Sequence, residues 1–213
     1  TWGRDRLDRT IAKYCDYEVQ AGPFVGLRFP TQHWPAIGAW MVGAAEAELH
    51  VSLEEAINLT PAVVHNVGCA EGVYAVGLAL RLPAAQIIAW DCDPAAISFC
   101  RRMARLNGVD TRLSFSGRCT DARLRARLVE GSLIICDIEG EEARLLNPER
   151  VPAIRTCVLI VELHEPAAPD VADRLCEWFN ATHEVVVIPA APRSIDDFPQ
   201  LRLLPLDDAA ALL

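Results

Sequence analysis

The chain has 213 residues, 52% hydrophobic and 23% charged, with a formal net charge of −9 and eight cysteines. This is a globular composition, long enough for one large domain or a domain with an extension, and its acidity makes nucleic acid a poor default partner. The cysteines are scattered without a Cys-x-x-Cys pair, which excludes a zinc knuckle and reads as a reducing, cytoplasmic protein without a disulfide framework.

In chain order, the start "TWGRDRLDRT" lacks the apolar core of a signal peptide, and the absence of an initiator Met reads as a processed or trimmed end. Residues 1–59 read as an N-terminal loop and helical extension serving as lid or cap. They hold a Gly/Pro/aromatic loop, "AGPFVGLRFPTQHWP", then one long helix candidate, "AIGAWMVGAAEAELHVSLEEAINL". From residue 60 to 213 short β-type runs alternate with helical ones. "AVVHNV" precedes "GVYAVGLALRL", "QIIAWD" precedes "PAAISFCRRMARLN", and "TRLSFSG" precedes "TDARLRARLV". "SLIICDIEG" precedes "EEARLLNPERV", "CVLIVELHE" precedes "DVADRLCEWFNA", and "EVVVIP" and "LRLLPL" close the chain. Strand–helix alternation with almost continuously apolar strands predicts an α/β, Rossmann-like doubly wound fold with a mostly parallel sheet of seven strands. The helix from Pro94 is well punctuated, with Asp93 to cap it, Pro94 in its first turn and Gly108 beyond its end. No run approaches the roughly 20 apolar residues that span a bilayer, so no membrane association is expected.

The stretch "VVHNVGCAEGVYAVGLAL" carries the first functional signal. A strand runs into Asn66, then the turn Gly68, Cys69, Ala70, Glu71 and Gly72, then a helix. A dinucleotide fold would want G-x-G-x-x-G, with pyrophosphate on the helix N-terminus. Here three residues separate the glycines and Glu71 would repel a phosphate, so a ligand with an ammonium-bearing portion fits better. The next strand ends "AWDCDP", which puts Asp91, with Cys92 beside it, some 20 residues beyond the turn. A carboxylate there can accept both hydroxyls of a ribose, unless it merely caps the strand end. A ribose without a phosphate, joined to something cationic, describes S-adenosylmethionine.

Together "VVHNVGCAEGVYAVGLALRLP", "AWDCDP", "RRMARLNGV", "LIICDIEGEEARLLNP", "IVELHE" and "FNATHEV" resemble the FkbM-like class I methyltransferases, from Ala62 to about Leu206. The resemblance implies S-adenosylmethionine as cofactor and a small-molecule acceptor, a sugar or natural product methylated on oxygen. It places Gly68, Cys69, Ala70 and Gly72 around the methionine portion, Asp91 on the ribose and the segment Gly117–Cys119 near the adenine. Asp137 and Glu139 then face the methyl donor or substrate. Two positions depart from the family: Asn66 stands where relatives carry Asp, which weakens the hold on the ammonium, and Ala45 stands where they carry an aromatic. Homo-oligomerisation is left open.

The residues that could carry chemistry lie at two strand ends. "CDIEGEE" offers Asp137, Glu139, Glu141 and Glu142, and "VELHE" offers Glu162, His164 and Glu165. Period-two spacing pairs Asp137 with Glu139 and Glu162 with His164. His164 or Glu139 can serve as general base; alternatively Asp137, Glu139, Glu162 and His164 can hold Mg²⁺, or the last two can simply bond backbone at the sheet's edge. His65, Cys69 and Cys136 read as packing residues, and "RRMARLNG" and "DARLRARL" as solvated helix faces. A non-catalytic cofactor-binding or scaffolding domain is the alternative function, and a nicotinamide oxidoreductase a weaker third.

Overall fold

The computed structural model describes residues 2–31, 37–164, 170–190 and 198. Residues 1–55 with 188–213 form one compact unit, and residues 56–187 another.

In the first unit, α1 (Trp2–Tyr14) buries Leu7, Ile11 and Ala12, and α2 (Ile37–Met41) packs against it. Buried Asp8 ties the two together, its Oδ1 accepting from the Gly38 amide at 2.9 Å. The single long helix expected over residues 36–59 is broken. After α2 the chain turns at Gly43, with φ +73°, where a Cβ would lie 2.8 Å from the Ala21 carbonyl. Glu46 is also left-handed, and only after a short 3₁₀ turn does α3 (His50–Asn58) begin. Hydrophobic periodicity continues across this break, so the pattern could not reveal it.

The second unit is built on β1 (Val63–Val67), α4 (Val73–Arg81), β2 (Gln86–Trp90), α5 (Pro94–Leu106), β3 (Leu113–Ser116) and α6 (Asp121–Arg125). It continues through β4 (Leu133–Cys136), α7 (Glu142–Leu145), β5 (Val158–Val161) and α8 (Val171–Phe179). All pairings are parallel, in the order β3-β2-β1-β4-β5. The central strands β1 and β4 are buried nearly throughout, as their unbroken apolar sequences require of a sheet covered on both faces. Helix α5 starts as expected, with the Asp93 carboxylate accepting from the Ala95 amide at 2.8 Å and Pro94 in its first turn.

The described sheet has five strands, not seven. The run 184–189 forms no strand, with Val186 and Val187 exposed, and the run 201–206 is outside the described residues. A β-branched run becomes a strand only where a sheet edge pairs with it, and composition does not report pairing. Among the described residues, no helix is long and apolar enough to cross a membrane.

From β1 the chain winds outward through β2 to β3, then returns to the other side of β1 for β4. The crevice where ligands bind in such sheets therefore opens at the carboxyl ends of β1 and β4.

Candidate functional site

Sheet register sets the site. Ser116, Trp90, Val67, Cys136 and Val161 form one row of paired residues across all five strands. The next residue on each strand is Gly117, Asp91, Gly68, Asp137 and Glu162. Four amides extend the ladder by this one step: Asp91 N donates to Ser116 O at 3.1 Å, Gly68 N to Trp90 O at 2.9 Å, Asp137 N to Val67 O at 2.9 Å and Glu162 N to Cys136 O at 2.9 Å. Nearly every residue singled out from sequence thus leaves the sheet on a single rim.

The loop after β1 is held from below by the sheet and from the side by Asp91. Oδ2 of Asp91 accepts from the Ala70 amide at 2.9 Å, and Oδ1 accepts from the Asp93 amide at 2.8 Å. Each oxygen keeps lone-pair capacity for a ribose hydroxyl. Ala70 sits at φ +43°, a left-handed conformation uncommon for a residue with a Cβ. The glycines answer to the protein itself: a Cβ on Gly68 (φ +81°) would stand 1.7 Å from the Asp137 carbonyl oxygen, and one on Gly72 (φ +96°) 2.5 Å from Cys100 Sγ. They are required by packing and backbone conformation, before any ligand is considered. Asn66 is buried in β1, and among the described residues its Oδ1 has no hydrogen-bond partner. That is an unmet acceptor next to the loop, where an ammonium group would be satisfied.

On the other side of the row, His164 gathers the carboxylates. Its Nδ1 lies 2.9 Å from Oε1 of Glu142, which is fully buried. The same Oε1 accepts from the amides of Gly140 at 3.0 Å and Ile138 at 3.3 Å, so it is fixed by backbone before it meets the imidazole. The imidazole Nε2 faces Asp137 Oδ1 at 3.5 Å and Glu139 Oε2 at 3.4 Å. Burial alone would lower the His164 pKa, but the hydrogen bond and charge of Glu142, with the charges of Asp137 and Glu139, outweigh it and raise the pKa. Glu139 is 87% exposed and left-handed at φ +58°. Asp137, Glu162 and His164 also present one ligand atom each within 4.8 Å of one another, a set of two carboxylates and an imidazole that a divalent cation could take. Glu141 turns away to Arg118 and Arg144.

The pairings inferred from sequence thus come together as Asp137, Glu139, Glu162 and His164. Glu165 lies outside the described residues. The structure adds Glu142, which sequence reasoning counted among the carboxylates without giving it a part. Its signal was present: an acid on the apolar side of "EEARLL", where Ala143, Leu145 and Leu146 are all buried. Cys69 and Cys119 are buried. The Cys69 thiol is pushed up by its hydrogen bond with Cys100 and by burial, while burial pushes the Cys119 thiol up to about 12, so neither supplies a thiolate. Cys92 is exposed, and beside Gly117 the space is open apart from the Arg123 guanidinium, which would lie 3.9 Å from a Cβ. His65 is wholly buried, accepting from Trp90 Nε1 at 3.3 Å, and takes no place on the rim.

The sequence profile of the Ribosomal protein L11 methyltransferase (PrmA) family matches residues 48–149. The release factor glutamine methyltransferase of Deinococcus radiodurans is 33% identical over 98 residues, 40% of this chain, and the chain spans only 35% of that relative's length. Among solved structures, an rRNA-methylase, provisionally assigned, from Clostridium thermocellum superposes with a TM-score of 0.51 at 11% identity, over 64% of this chain and 81% of that one. A provisionally assigned O-methyltransferase from Klebsiella pneumoniae covers 84% of this chain and 74% of its own, at 16% identity and a TM-score of 0.45. In fold, residues 56–187 form the Rossmann-like α/β unit with a parallel sheet that the Clostridium thermocellum structure shares.

Proposed function

We propose that the chain binds S-adenosylmethionine along the β1–β2 side of the rim and transfers its methyl group to an oxygen of a small molecule held over β4 and β5. The observation that carries this reading is the shared row, which sets the Asp91-braced loop next to the His164 carboxylate cluster across β1 and β4. The residues fit the cofactor. Asp91 has acceptor capacity for the ribose, and the unpartnered Asn66 Oδ1 suits the ammonium. When bound, the cofactor supplies a sulfonium methyl; the C–S electron pair returns to sulfur as the acceptor oxygen forms its new bond. The acceptor's proton passes to His164 Nε2 or to the exposed Glu139.

The charge of this mouth narrows the acceptor. Asp137, Glu139, Glu142 and Glu162 stand against one imidazole, so an acceptor carrying phosphate at this point would be repelled. A sugar-like or phenolic hydroxyl, or an acceptor with a cationic arm, is compatible. A Mg²⁺ ion on Asp137, Glu162 and His164 is a second route to the same hydroxyl activation, favoured by the 4.8 Å grouping of those three ligand atoms.

Calorimetric titration with S-adenosylmethionine and S-adenosylhomocysteine tests the cofactor. Micromolar binding supports the reading, whereas no binding leaves a scaffolding domain as the better account. A screen of hydroxylated acceptors, with and without EDTA, then separates base catalysis from the metal route.

A further inference from the structure

We infer that Glu142 is the positioning residue of this site: it accepts a hydrogen bond from the Nδ1–H of His164, so that the Nε2 lone pair is presented to the acceptor. The inference rests on the reading of His164 as proton acceptor. A neutral imidazole carries one proton, and the nitrogen that keeps it is set by the partner of better geometry. Nδ1 has a carboxylate at 2.9 Å, a normal hydrogen bond. Nε2 has only Asp137 at 3.5 Å and Glu139 at 3.4 Å, which is charge proximity without a close hydrogen bond. The proton therefore resides on Nδ1.

Glu142 is built to dictate this choice. It is fully buried, so it does not exchange its partner for water. Its Oε1 is pinned by the amides of Ile138 and Gly140, in the turn that carries Glu139, so that one carboxylate oxygen sets both the base and its neighbour. Its other oxygen, Oε2, is buried and has no hydrogen-bond partner. A single buried oxygen, Oε1, thus joins the turn to the imidazole.

The test reads the tautomer directly. Long-range ¹H–¹⁵N spectra of the intact chain, recorded at a pH where His164 is neutral, distinguish a protonated Nδ1 from a protonated Nε2. The expected result is Nδ1–H in the wild-type chain and in Glu142→Gln, whose amide oxygen still accepts. In Glu142→Leu the bias is lost and Nε2–H becomes the major form. A wild-type chain with its proton on Nε2 would overturn the inference without any variant, and so would Glu142→Leu with an unchanged tautomer. Titration of the same wild-type sample with S-adenosylhomocysteine keeps the two questions apart. Failure to bind would count against the methyltransferase reading and leave the tautomer result standing, while binding with the wrong tautomer would sink only the role of Glu142.

Discussion

Gly68→Ala should be among the most damaging single-atom additions in this fold, and its cost separates into two parts. The first is conformational: Gly68 has φ +81°, and a residue with a Cβ pays about 1–2 kcal/mol to enter the left-handed region. The second is steric. The new Cβ would lie 1.7 Å from the Asp137 carbonyl oxygen and 2.8 Å from its carbonyl carbon, both backbone atoms that no rotamer change can move. Relief requires the ends of β1 and β4 to part, which works against the Asp137 amide bond to the Val67 carbonyl at 2.9 Å. Together these should exceed about 4 kcal/mol, a large share of the roughly 5–15 kcal/mol that holds a domain folded. Gly108→Ala is the internal control: φ is +68°, but nothing lies within 4 Å of the added atom, so only the conformational part remains. Urea unfolding of both variants measures the difference. Should the two lie within about 1 kcal/mol of each other, close packing of the β1 and β4 ends cannot be what demands glycine here.

Asp91→Ala should weaken S-adenosylhomocysteine at least tenfold, since it removes the ribose acceptor and the brace on the Ala70 amide, each a charge-assisted bond of about 1.5–3 kcal/mol. Asp93→Ala, which uncaps α5 at a cost of about 1 kcal/mol, should leave that affinity unchanged; equal loss in both would point to general loosening. Asn66→Asp buries a carboxylate with no partner, so the ligand-free chain should melt at a lower temperature while S-adenosylmethionine raises it by more than in the wild type. A higher melting temperature of the ligand-free variant would contradict this. For His65, burial first and then the Arg127 charge lower the pKa from 6.5 to about 4. The unfolded chain therefore binds the proton more readily. Stability is complete above about pH 6.5 and falls on acidification until about pH 4, by roughly 3 kcal/mol in all. His65→Gln should flatten that part of the profile in urea unfolding between pH 7.5 and 4, and an unchanged slope would assign the acid sensitivity elsewhere. Glu139→Gly should be neutral to stabilising by up to about 1 kcal/mol, because it relieves a left-handed φ of +58° at a small entropic cost. A clear loss of stability would give the Glu139 side chain a structural part.

The sequence located strand ends well because an apolar run that stops at Gly or Asp is both a local pattern and a topological fact. Gly68, Asp91 and Asp137 could be assigned to the carboxyl ends of their strands before the register was known, since parallel strands of similar length end together. The long helix failed at Gly43 and Glu46, where backbone conformation and not hydrophobicity breaks the chain. The sixth strand failed because Val185–Val187 has strand composition without a described partner. Glu142 was hidden for a different reason. Its place on an apolar face could be read locally, but its partner could not: the return of β5 alongside β4 brings His164 onto it from 22 residues away, and no periodicity within either segment encodes that meeting.

Asn66 invites the view that this is a fold that has lost its chemistry, and the rest of the rim weighs against it. Among the described residues six non-glycines have positive φ, and two of them, Ala70 and Glu139, flank the row on either side of β1 and β4. Each such residue carries a cost of order 1–3 kcal/mol that a glycine would remove. Glu142 adds a buried charge where an apolar residue would continue the face formed by Ala143, Leu145 and Leu146. A scaffold gains nothing from the two left-handed residues, and a change to glycine would relax either one at little cost to folding. Asn66, by contrast, keeps an acceptor oxygen at the position and gives up only its charge. Drift would be expected to erase the expensive features first and the cheap one last. Here Ala70 and Glu139 hold their left-handed conformations beside the rim, which is what a working site would demand of them.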